Sequence, residues 1–186
     1  MGEKRQARQG ADVLLQEEPL RFQTRKQVGL LGGNFNPVHL AHLVMADQVQ
    51  NQLGLDKVYL MPTYLPPHVD EKKTISSEHR LAMLELAVAD NPCLDIEPIE
   101  LIRKGKSYTY DTMKALKEAN PDTDYYFIIG GDMVEYLPKW HRIDDLLHLV
   151  QFVGIRRPNY PTESTYPIIW VDVPQMAISS TLIRQK

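Results

Sequence analysis

Six short runs of apolar and β-branched residues follow one another along the chain after residue 27. Several of these runs are continuous and do not alternate with polar residues, which is typical of strands buried on both faces of a sheet. We therefore predict strands at Val28–Leu31, Val58–Met61, Leu94–Ile96, Tyr125–Ile129, Val150–Ile155 and Ile168–Val173.

Segments with a mixed apolar and polar pattern, typical of helices, lie between the strands. The first helix has Leu40, Leu43 and Val44 on one face and ends at Gly54, a second ends at Asn91-Pro92, and a third covers Asp111–Ala119. Alternating strands and helices predict a single α/β domain with a doubly wound parallel sheet and right-handed crossovers. In such a sheet, ligands bind beyond the carboxyl ends of the strands, so the loops at those ends are the candidates for function.

The size and composition of the chain agree with one globular domain. It has 186 residues, of which 43% are hydrophobic and 24% are charged, close to the average of folded proteins. The 21 Lys and Arg residues against 24 Asp and Glu give a net charge of -3, which argues against a nucleic-acid-binding protein. The charge does not exclude a small polyanionic ligand, because such a ligand needs only a local cluster of donors.

Other classes of protein are excluded by what the sequence lacks. Cys93 is the only cysteine, which excludes an internal disulfide framework and a cysteine-rich zinc module. No apolar run approaches the roughly 20 residues of a membrane span, and the N-terminus lacks the features of a secretory signal. We therefore predict a cytoplasmic protein that has no membrane partner.

The first 27 residues differ from the rest of the chain. They are rich in Gln, Arg and Glu and contain only one short apolar cluster, Val13-Leu14-Leu15. We predict an N-terminal extension over residues 1–27 and one domain over residues 28–186.

The loop after the first strand carries the sequence GGNFNPVHLAH, from Gly32 to His42. Paired glycines allow a sharp turn and close approach of the backbone to a ligand. We predict Asn36 as the N-cap and Pro37 as the first residue of the helix that follows. His39 and His42 then project from one side of a helix N-terminus, which attracts anions. This arrangement predicts a phosphate site.

Other interpretations of the same loop remain open on these residues alone. A glycine pair after a strand is often an ordinary turn, and either histidine is compatible with a helix surface. Two histidines three residues apart are also compatible with zinc, but neither the glutamate of a zincin motif nor a third ligand lies nearby. We therefore predict no metal that the protein itself holds.

The segment after the last predicted strand reads ISSTLIR, from Ile178 to Arg184. Its hydroxyl residues suit the N-cap of a short helix. Hydroxyl groups, free N–H groups and a guanidinium together suit the terminal phosphates of a nucleotide. Taken alone, the segment is better explained as an ordinary capped helix that carries a surface arginine.

These two segments resemble the two signatures of the nucleotidyltransferase superfamily, GGxFDPxHxGH and ISSTxIR. The first signature departs twice, with Asn36 where Asp is usual and Ala41 where Gly is usual, whereas the second has no departure. Neither departure removes a histidine. Both signatures in this order are far more specific than either one, and the resemblance implies a Rossmann-like nucleotidyltransferase fold.

Further segments resemble one family within this superfamily, the bacterial nicotinate-nucleotide adenylyltransferases. They include Leu65–His68, Ser107–Thr109, Phe127–Asp132 and Leu137–Trp140. The resemblance implies transfer of AMP from ATP to nicotinate mononucleotide, which gives nicotinate adenine dinucleotide and pyrophosphate in NAD biosynthesis. It also implies Mg²⁺ together with the ATP.

The resemblance assigns catalytic roles to three residues. His39 and His42 would contact the ATP phosphates, with His42 donating to the α-phosphate, and Arg184 would hold the phosphates that leave. The ATP-binding residues that it implies are Gly32, Gly33, Asn34, Phe35, Gly130, Asp132, Arg157, Ile178, Ser179, Ser180 and Thr181.

The residues implied for nicotinate mononucleotide are Asn36, Lys72, Thr109, Trp140 and His141. Trp140 would offer a flat face to the pyridine ring. On the residue alone, Trp140 is also compatible with a packing role in the core or at the surface. Backbone N–H groups near Thr109 and His141 would favour a carboxylate over a carboxamide. Val69 stands where the family commonly has a basic residue, and Lys72 or Lys73 is expected to supply that charge.

Two alternatives remain at this point. One is an adenylyltransferase for nicotinamide mononucleotide or phosphopantetheine, and the other is a nucleotide-binding protein without catalysis. Members of the family continue beyond the second signature through further helix, so we expect a chain that ends at Lys186 to be truncated or incompletely represented. The sequence does not determine whether the protein forms a homo-oligomer.

Overall fold

The structure, a computed structural model, describes residues 24–65, 74–158, 160 and 162–186. Six strands form one sheet: β1 (Lys26–Gly33), β2 (Lys57–Pro62), β3 (Leu94–Ile96), β4 (Thr123–Gly130), β5 (Val150–Ile155) and β6 (Ile168–Val171). The helices are α1 (Leu40–Leu53), α2 (Ser77–Val88), α3 (Ile99–Arg103), α4 (Thr109–Ala119), α5 (Gly131–Val134), α6 (Ile143–Leu146) and α7 (Ser180–Arg184), with a 3-10 turn at Leu137–Lys139. No helix in these ranges is long and apolar enough to cross a membrane.

All neighbouring strands pair in parallel, in the order β3-β2-β1-β4-β5-β6. The predicted single α/β domain with a doubly wound parallel sheet is confirmed. The strand order reverses between β1 and β4, and at such a switch point a crevice opens beyond the carboxyl ends of the strands. The site is therefore expected beside Gly33 and Gly130, the last residues of these two strands.

The sheet is buried on both faces, which explains the continuous apolar runs of its strands. On one face, Leu30, Phe127 and Phe152 belong to a core that also contains residues of α4 and α6. On the other face, Leu31 and Ile128 belong to a second core that contains residues of α1 and α2. Side chains that alternate along one strand therefore enter two different cores.

Most predicted element bounds agree with the structure. The bounds of β3 and β5 are those predicted, and α1 ends with Gly54 in the left-handed conformation at φ 62°. β1 begins at Lys26, two residues before the predicted strand, and β6 ends at Val171, two residues earlier than predicted. The N-terminal extension lies almost entirely outside the described residues, so its boundary stays a prediction.

The predicted start of α1 is wrong. Asn36 and Pro37 form a turn with a cis peptide bond between them, and the residue that caps α1 is His39. The carbonyl of Pro37 accepts a hydrogen bond from Ser180 Oγ at 2.8 Å, and the carbonyl of Asn36 accepts one from the Arg184 guanidinium. Groups nearly 150 residues away along the chain thus hold this turn, and local helix signals do not report them.

A buried arginine ties the first two strand ends together. Arg80 of α2 is 2% exposed, and its Nη1 donates to the carbonyl of Asn34 at 2.9 Å and to that of Thr63 at 2.8 Å. Its Nη2 donates to Ser77 Oγ at 3.2 Å. Among the described residues no carboxylate pairs with it, and burial lowers its pKa. Arg80 therefore acts as a multiple hydrogen-bond donor that positions the loops after β1 and β2.

We expect Arg80→Met to lower the free energy of unfolding by about 3 kcal/mol, because it leaves two partly buried carbonyl groups without a donor. Chemical denaturation monitored by circular dichroism measures this change. Arg156→Met is the matched control, since Arg156 makes an exposed ion pair with Asp172 at 2.9 Å that contributes about 1 kcal/mol or less. Equal losses in the two variants would contradict the role of Arg80.

Candidate active site

Two cavities open side by side at the carboxyl edge of the sheet, one beyond β1 and β4 and the other beyond β5. Their volumes are about 490 Å³ and about 590 Å³. They share three lining residues, His42, Met45 and Arg157. The arrangement can hold two ligands, one in each cavity, with their nearest ends beside His42.

The first cavity lies over the switch point between β1 and β4. Its lining includes eight of the residues predicted from the sequence, besides His42: Gly32, Gly33, Asn34, Thr109, Gly130, Trp140, His141 and Arg157. Gly32 and Gly33 do not form the expected sharp turn, because they are the last two residues of β1. Glycine at position 33 leaves space for the Phe35 ring, since a Cβ there would lie 3.0 Å from a ring carbon.

Aromatic side chains build one wall of the first cavity. The Trp140 ring packs edge-to-face against Phe127 and Phe152, with centroid distances of 5.9 Å in both cases. Tyr108 and His141 contact each other with ring centroids 4.7 Å apart. The Trp140 ring is thus held by the core, while the residue also borders the cavity.

The second cavity lies between α1, the end of β5 and the segment before α7. Four further predicted residues line it, namely His39, Ile178, Ser179 and Ser180. Ser179 caps α7, accepting a hydrogen bond from the N–H of Leu182 at 3.1 Å. Sequence reasoning missed the rest of this wall, which includes Tyr160, Pro174, Gln175 and Met176, because loop residues of these types carry no distinguishing pattern.

The two signature histidines are stacked where the cavities meet. Their ring centroids are 3.8 Å apart with an interplanar angle of 23°. The backbone N–H of His39 donates to His42 Nδ1 at 3.3 Å, so in a neutral His42 ring the proton is on Nε2. The edge of Phe35 packs against His42 at 5.0 Å. His42 therefore has one ring nitrogen occupied by the backbone and the other available as a donor.

Burial lowers the pKa of both signature histidines. It lowers the pKa of His42 to about 4, with further contributions from His39 and the cation of Arg157. The positive charge of Arg157, which disfavours a second positive charge on His42, favours an anion beside the rings.

Arg157 is held at the junction by an acidic partner. Its Nε lies 3.4 Å from Oδ1 of Asp132, a buried oxygen that accepts no hydrogen bond. The same carboxylate explains why residue 130 is a glycine, since an added Cβ there would lie 2.5 Å from this Oδ1. Asp132 thus orients Arg157, and it does not cap α5.

Five predicted site residues line neither cavity: Phe35, Asn36, Asp132, Thr181 and Arg184. Phe35 is buried beneath His42 with a positive φ of 44°, and Asn36 is buried with Oδ1 unpartnered. The Arg184 guanidinium donates to the carbonyl of Asn36 and, at 3.2 Å, to Thr181 Oγ1. Lys72 lies outside the described residues, as do Val69 and Lys73.

The first cavity also contains a residue that sequence reasoning missed. Glu100 of α3 is 3% exposed and lines the wall beside Ser107 and Thr109. A glutamate in a short amphipathic segment gives no signal of burial. Glu100 is also the only carboxylate in the two linings described, and no three acidic, histidine or cysteine side chains in the described ranges gather as metal ligands.

The low pKa of His42 makes the fold less stable in acid. The unfolded chain binds a proton at this histidine near pH 6.5, whereas the folded protein binds it only near pH 4. Between these values the proton favours the unfolded state, so we expect His42 to remove about 2 kcal/mol of stability between pH 7 and pH 5. Between pH 7 and pH 5 the free energy of unfolding of His42→Gln should fall by about 2 kcal/mol less than that of the wild type, as measured by denaturation. Parallel stability profiles for the two proteins would contradict the low pKa of His42.

Sequence comparison reveals close relatives of the chain. A Streptococcus pneumoniae protein named a probable nicotinate-nucleotide adenylyltransferase is 66% identical over 168 residues, which cover 90% of this chain and 80% of the relative. A Lactococcus lactis protein of the same name is 65% identical over 161 residues, covering 87% and 83% of the two chains.

Solved structures share the fold at lower identity. A Plasmodium falciparum nicotinic acid mononucleotide adenylyltransferase complexed with NaAD superposes with a TM-score of 0.71 at 19% identity, over 87% of this chain and 83% of that one. The cytidylyltransferase-like family matches residues 30–186. The chain therefore belongs to the cytidylyltransferase-like family and, within it, to the nicotinate-nucleotide adenylyltransferases.

Proposed function

We propose that this protein transfers AMP from ATP to nicotinate mononucleotide, giving nicotinate adenine dinucleotide and pyrophosphate in NAD biosynthesis. The names of its close relatives support the reaction. The observation that carries it in the structure is the meeting of two cavities at His42 and Arg157. A reaction between two phosphate-bearing substrates needs two adjacent sites and positive or donating groups where they meet.

In this reaction an oxygen of the mononucleotide phosphate attacks the α-phosphorus of ATP. The bond from the α-phosphorus to the bridging oxygen breaks, and pyrophosphate leaves with that oxygen. His42 Nε2 donates to a non-bridging oxygen of the α-phosphate, where charge shifts during the transfer. No covalent bond to the protein is needed, so positioning and electrostatic stabilisation account for the catalysis.

The second cavity suits ATP. His39, Ser179 and Ser180 line it close to the junction, and Ile178 lies in the same wall. In our proposal Ser180, Thr181 and Arg184 bind the two phosphates that leave. To do so, the Arg184 guanidinium must exchange the carbonyl of Asn36 for phosphate oxygens, which are stronger acceptors.

The first cavity suits the mononucleotide. Trp140 provides a flat face for the pyridine ring, and the N–H groups near Thr109 and His141 face its acid group in our proposal. Lys72 is proposed to serve the mononucleotide phosphate, and Asn36 is proposed to bind the mononucleotide. Arg157 then lies between the two substrates, where it neutralises charge on both.

Mg²⁺ is proposed to enter with ATP, not to reside in the protein. The described residues fit this role. Among them, Glu100 is the one carboxylate in the two cavity linings, and it already accepts a hydrogen bond from the Thr112 hydroxyl group. Mg²⁺ commonly retains water and binds through substrate phosphates. Bound in this way, it supplies neutralisation of the phosphate charge.

A cytoplasmic location fits a reaction that consumes ATP.

A panel of acceptors tests the proposed reaction. Pyrophosphate release is measured with Mg-ATP and, in turn, nicotinate mononucleotide, nicotinamide mononucleotide and phosphopantetheine. We expect the highest kcat/KM with nicotinate mononucleotide and the matching dinucleotide as product. A preference for phosphopantetheine, or ATP binding without turnover on any acceptor, would refute the proposal.

We expect His42→Ala to lower kcat on the order of 10²-fold or more, as expected for the loss of a donor to the transition state. Steady-state kinetics at saturating substrates measure this change. His148→Ala is the matched control, because His148 is exposed on the far side of the domain and lines neither cavity. An unchanged kcat in His42→Ala would reject its assigned role.

We expect Trp140→Ala to raise the KM for the mononucleotide about tenfold and to leave the affinity for ATP nearly intact. The physical reason is the loss of a stacking surface, which contributes about 1 kcal/mol or more. Trp140→Phe keeps an aromatic ring and should restore most of the affinity. Equal losses for both substrates would contradict the assignment of the two cavities.

A further inference from the structure

The buried carboxyl group of Glu100 is an unusual neighbour for an anionic substrate. It borders the cavity that we assign to the mononucleotide, and it is 3% exposed. A free carboxylate there would repel the acid group of nicotinate and would lack the solvation that a charge requires. A neighbouring side chain donates a hydrogen bond that water would otherwise give to this group.

The Thr112 hydroxyl group holds the carboxyl group in place, and Ser107 lies in the same cavity wall. Thr112 Oγ1 donates to Glu100 Oε1 at 2.9 Å, and Glu100 and Ser107 border the same cavity. Arg103 Nη2 donates to Thr112 Oγ1 at 2.8 Å. Burial raises the pKa of Glu100, and the hydroxyl groups and the nearby charge of Arg103 oppose that rise.

Ser107 connects Glu100 to the loop that follows β2. Its Oγ accepts a hydrogen bond from the N–H of Tyr64 at 3.2 Å, and its own N–H donates to the carbonyl of Leu65 at 2.9 Å. The Ser107 side chain therefore lies between Tyr64 on one side and Glu100 on the other. This connection leaves little freedom to the backbone of residues 107–109.

The same backbone begins α4 at Thr109. The first N–H groups of a helix have no partner within it, so the Thr109 N–H is available to a ligand. Tyr108 also contacts His141, the second residue near which donors for the acid group are expected. Fixing residues 107–109 thus sets the direction of the donors on both sides of that group.

We propose that Glu100 is a positioning residue that, through Ser107 and Thr112, aims the backbone donors at residues 107–109 and thereby selects nicotinate over nicotinamide. The proposal rests on the proposed function, because it needs the first cavity to bind the mononucleotide. Donors held in one direction match a carboxylate, whereas a carboxamide leaves at least one donor facing an NH₂ group. Loosening the donors should therefore affect nicotinate more than nicotinamide.

The test compares two acceptors in two variants of the full chain. Glu100→Gln removes the charge with little change in shape, and Thr112→Val removes the hydroxyl group in a side chain of the same shape. In both, we expect a tenfold rise in the KM for nicotinate mononucleotide, the effect of about one lost hydrogen bond. The kcat, the KM for ATP and the kcat/KM for nicotinamide mononucleotide should each stay within about twofold.

Two further variants separate positioning from general stability. Thr112→Ser keeps the hydroxyl group and should restore the selectivity of the wild type. Glu97→Gln is the matched control, since Glu97 is a half-buried carboxylate that also accepts a hydrogen bond, from the Ile99 N–H at 3.0 Å, but lines neither cavity. It should leave the selectivity unchanged.

The outcomes are distinguishable from a failure of the proposed function. If the wild type uses nicotinate mononucleotide but folded Glu100→Gln and Thr112→Val keep its selectivity, the role of Glu100 is refuted. Equal losses for both acceptors, or a fall in kcat alone, would also refute it. If Glu100→Gln does not fold, Thr112→Val decides. A wild type without turnover on either mononucleotide would refute the proposed function, and this proposal with it.

Discussion

The parallel pairing of β1 with β2 and β4 is the constraint on which the site depends. Because all six strands run in the same direction, their carboxyl ends meet at one edge of the sheet. The reversal of strand order between β1 and β4 opens the crevice there. His42, Gly130 and Arg157, which lie far apart in the chain, are brought to one junction by this pairing.

Contacts between distant segments then complete what the sheet begins. Arg80 holds the loops after β1 and β2, and Ser180 together with Arg184 holds the turn at Asn36 and Pro37. All three side chains donate to backbone carbonyls. They therefore fix the path of the main chain and do not depend on which side chains those positions carry. The entry into α1, and with it the position of the stacked histidines, follows from these bonds.

The electrostatics of the site explain how a protein with a net charge of -3 suits two polyanions. Burial lowers the pKa of both histidines, that of His42 to about 4, so His42 offers an N–H donor without a buried charge. The carboxylate of Asp132 is paired with Arg157, and that of Glu100 accepts a hydrogen bond from the Thr112 hydroxyl group. The acidic groups near the cavities are thereby occupied.

The sequence by itself determined the fold class, the six strands, the end of α1 at Gly54 and the importance of both signatures, because periodicity, glycine and motif spacing are local properties. It did not determine the start of α1, the burial of Glu100 or the bonds of Arg184 to Asn36 and Thr181. Asn36 and Pro37 are good local signals for a helix start, yet hydrogen bonds from Ser180 and Arg184 place them in a turn. Only the tertiary structure decided these features, since each depends on a partner that is distant in the chain or on burial that no local pattern records.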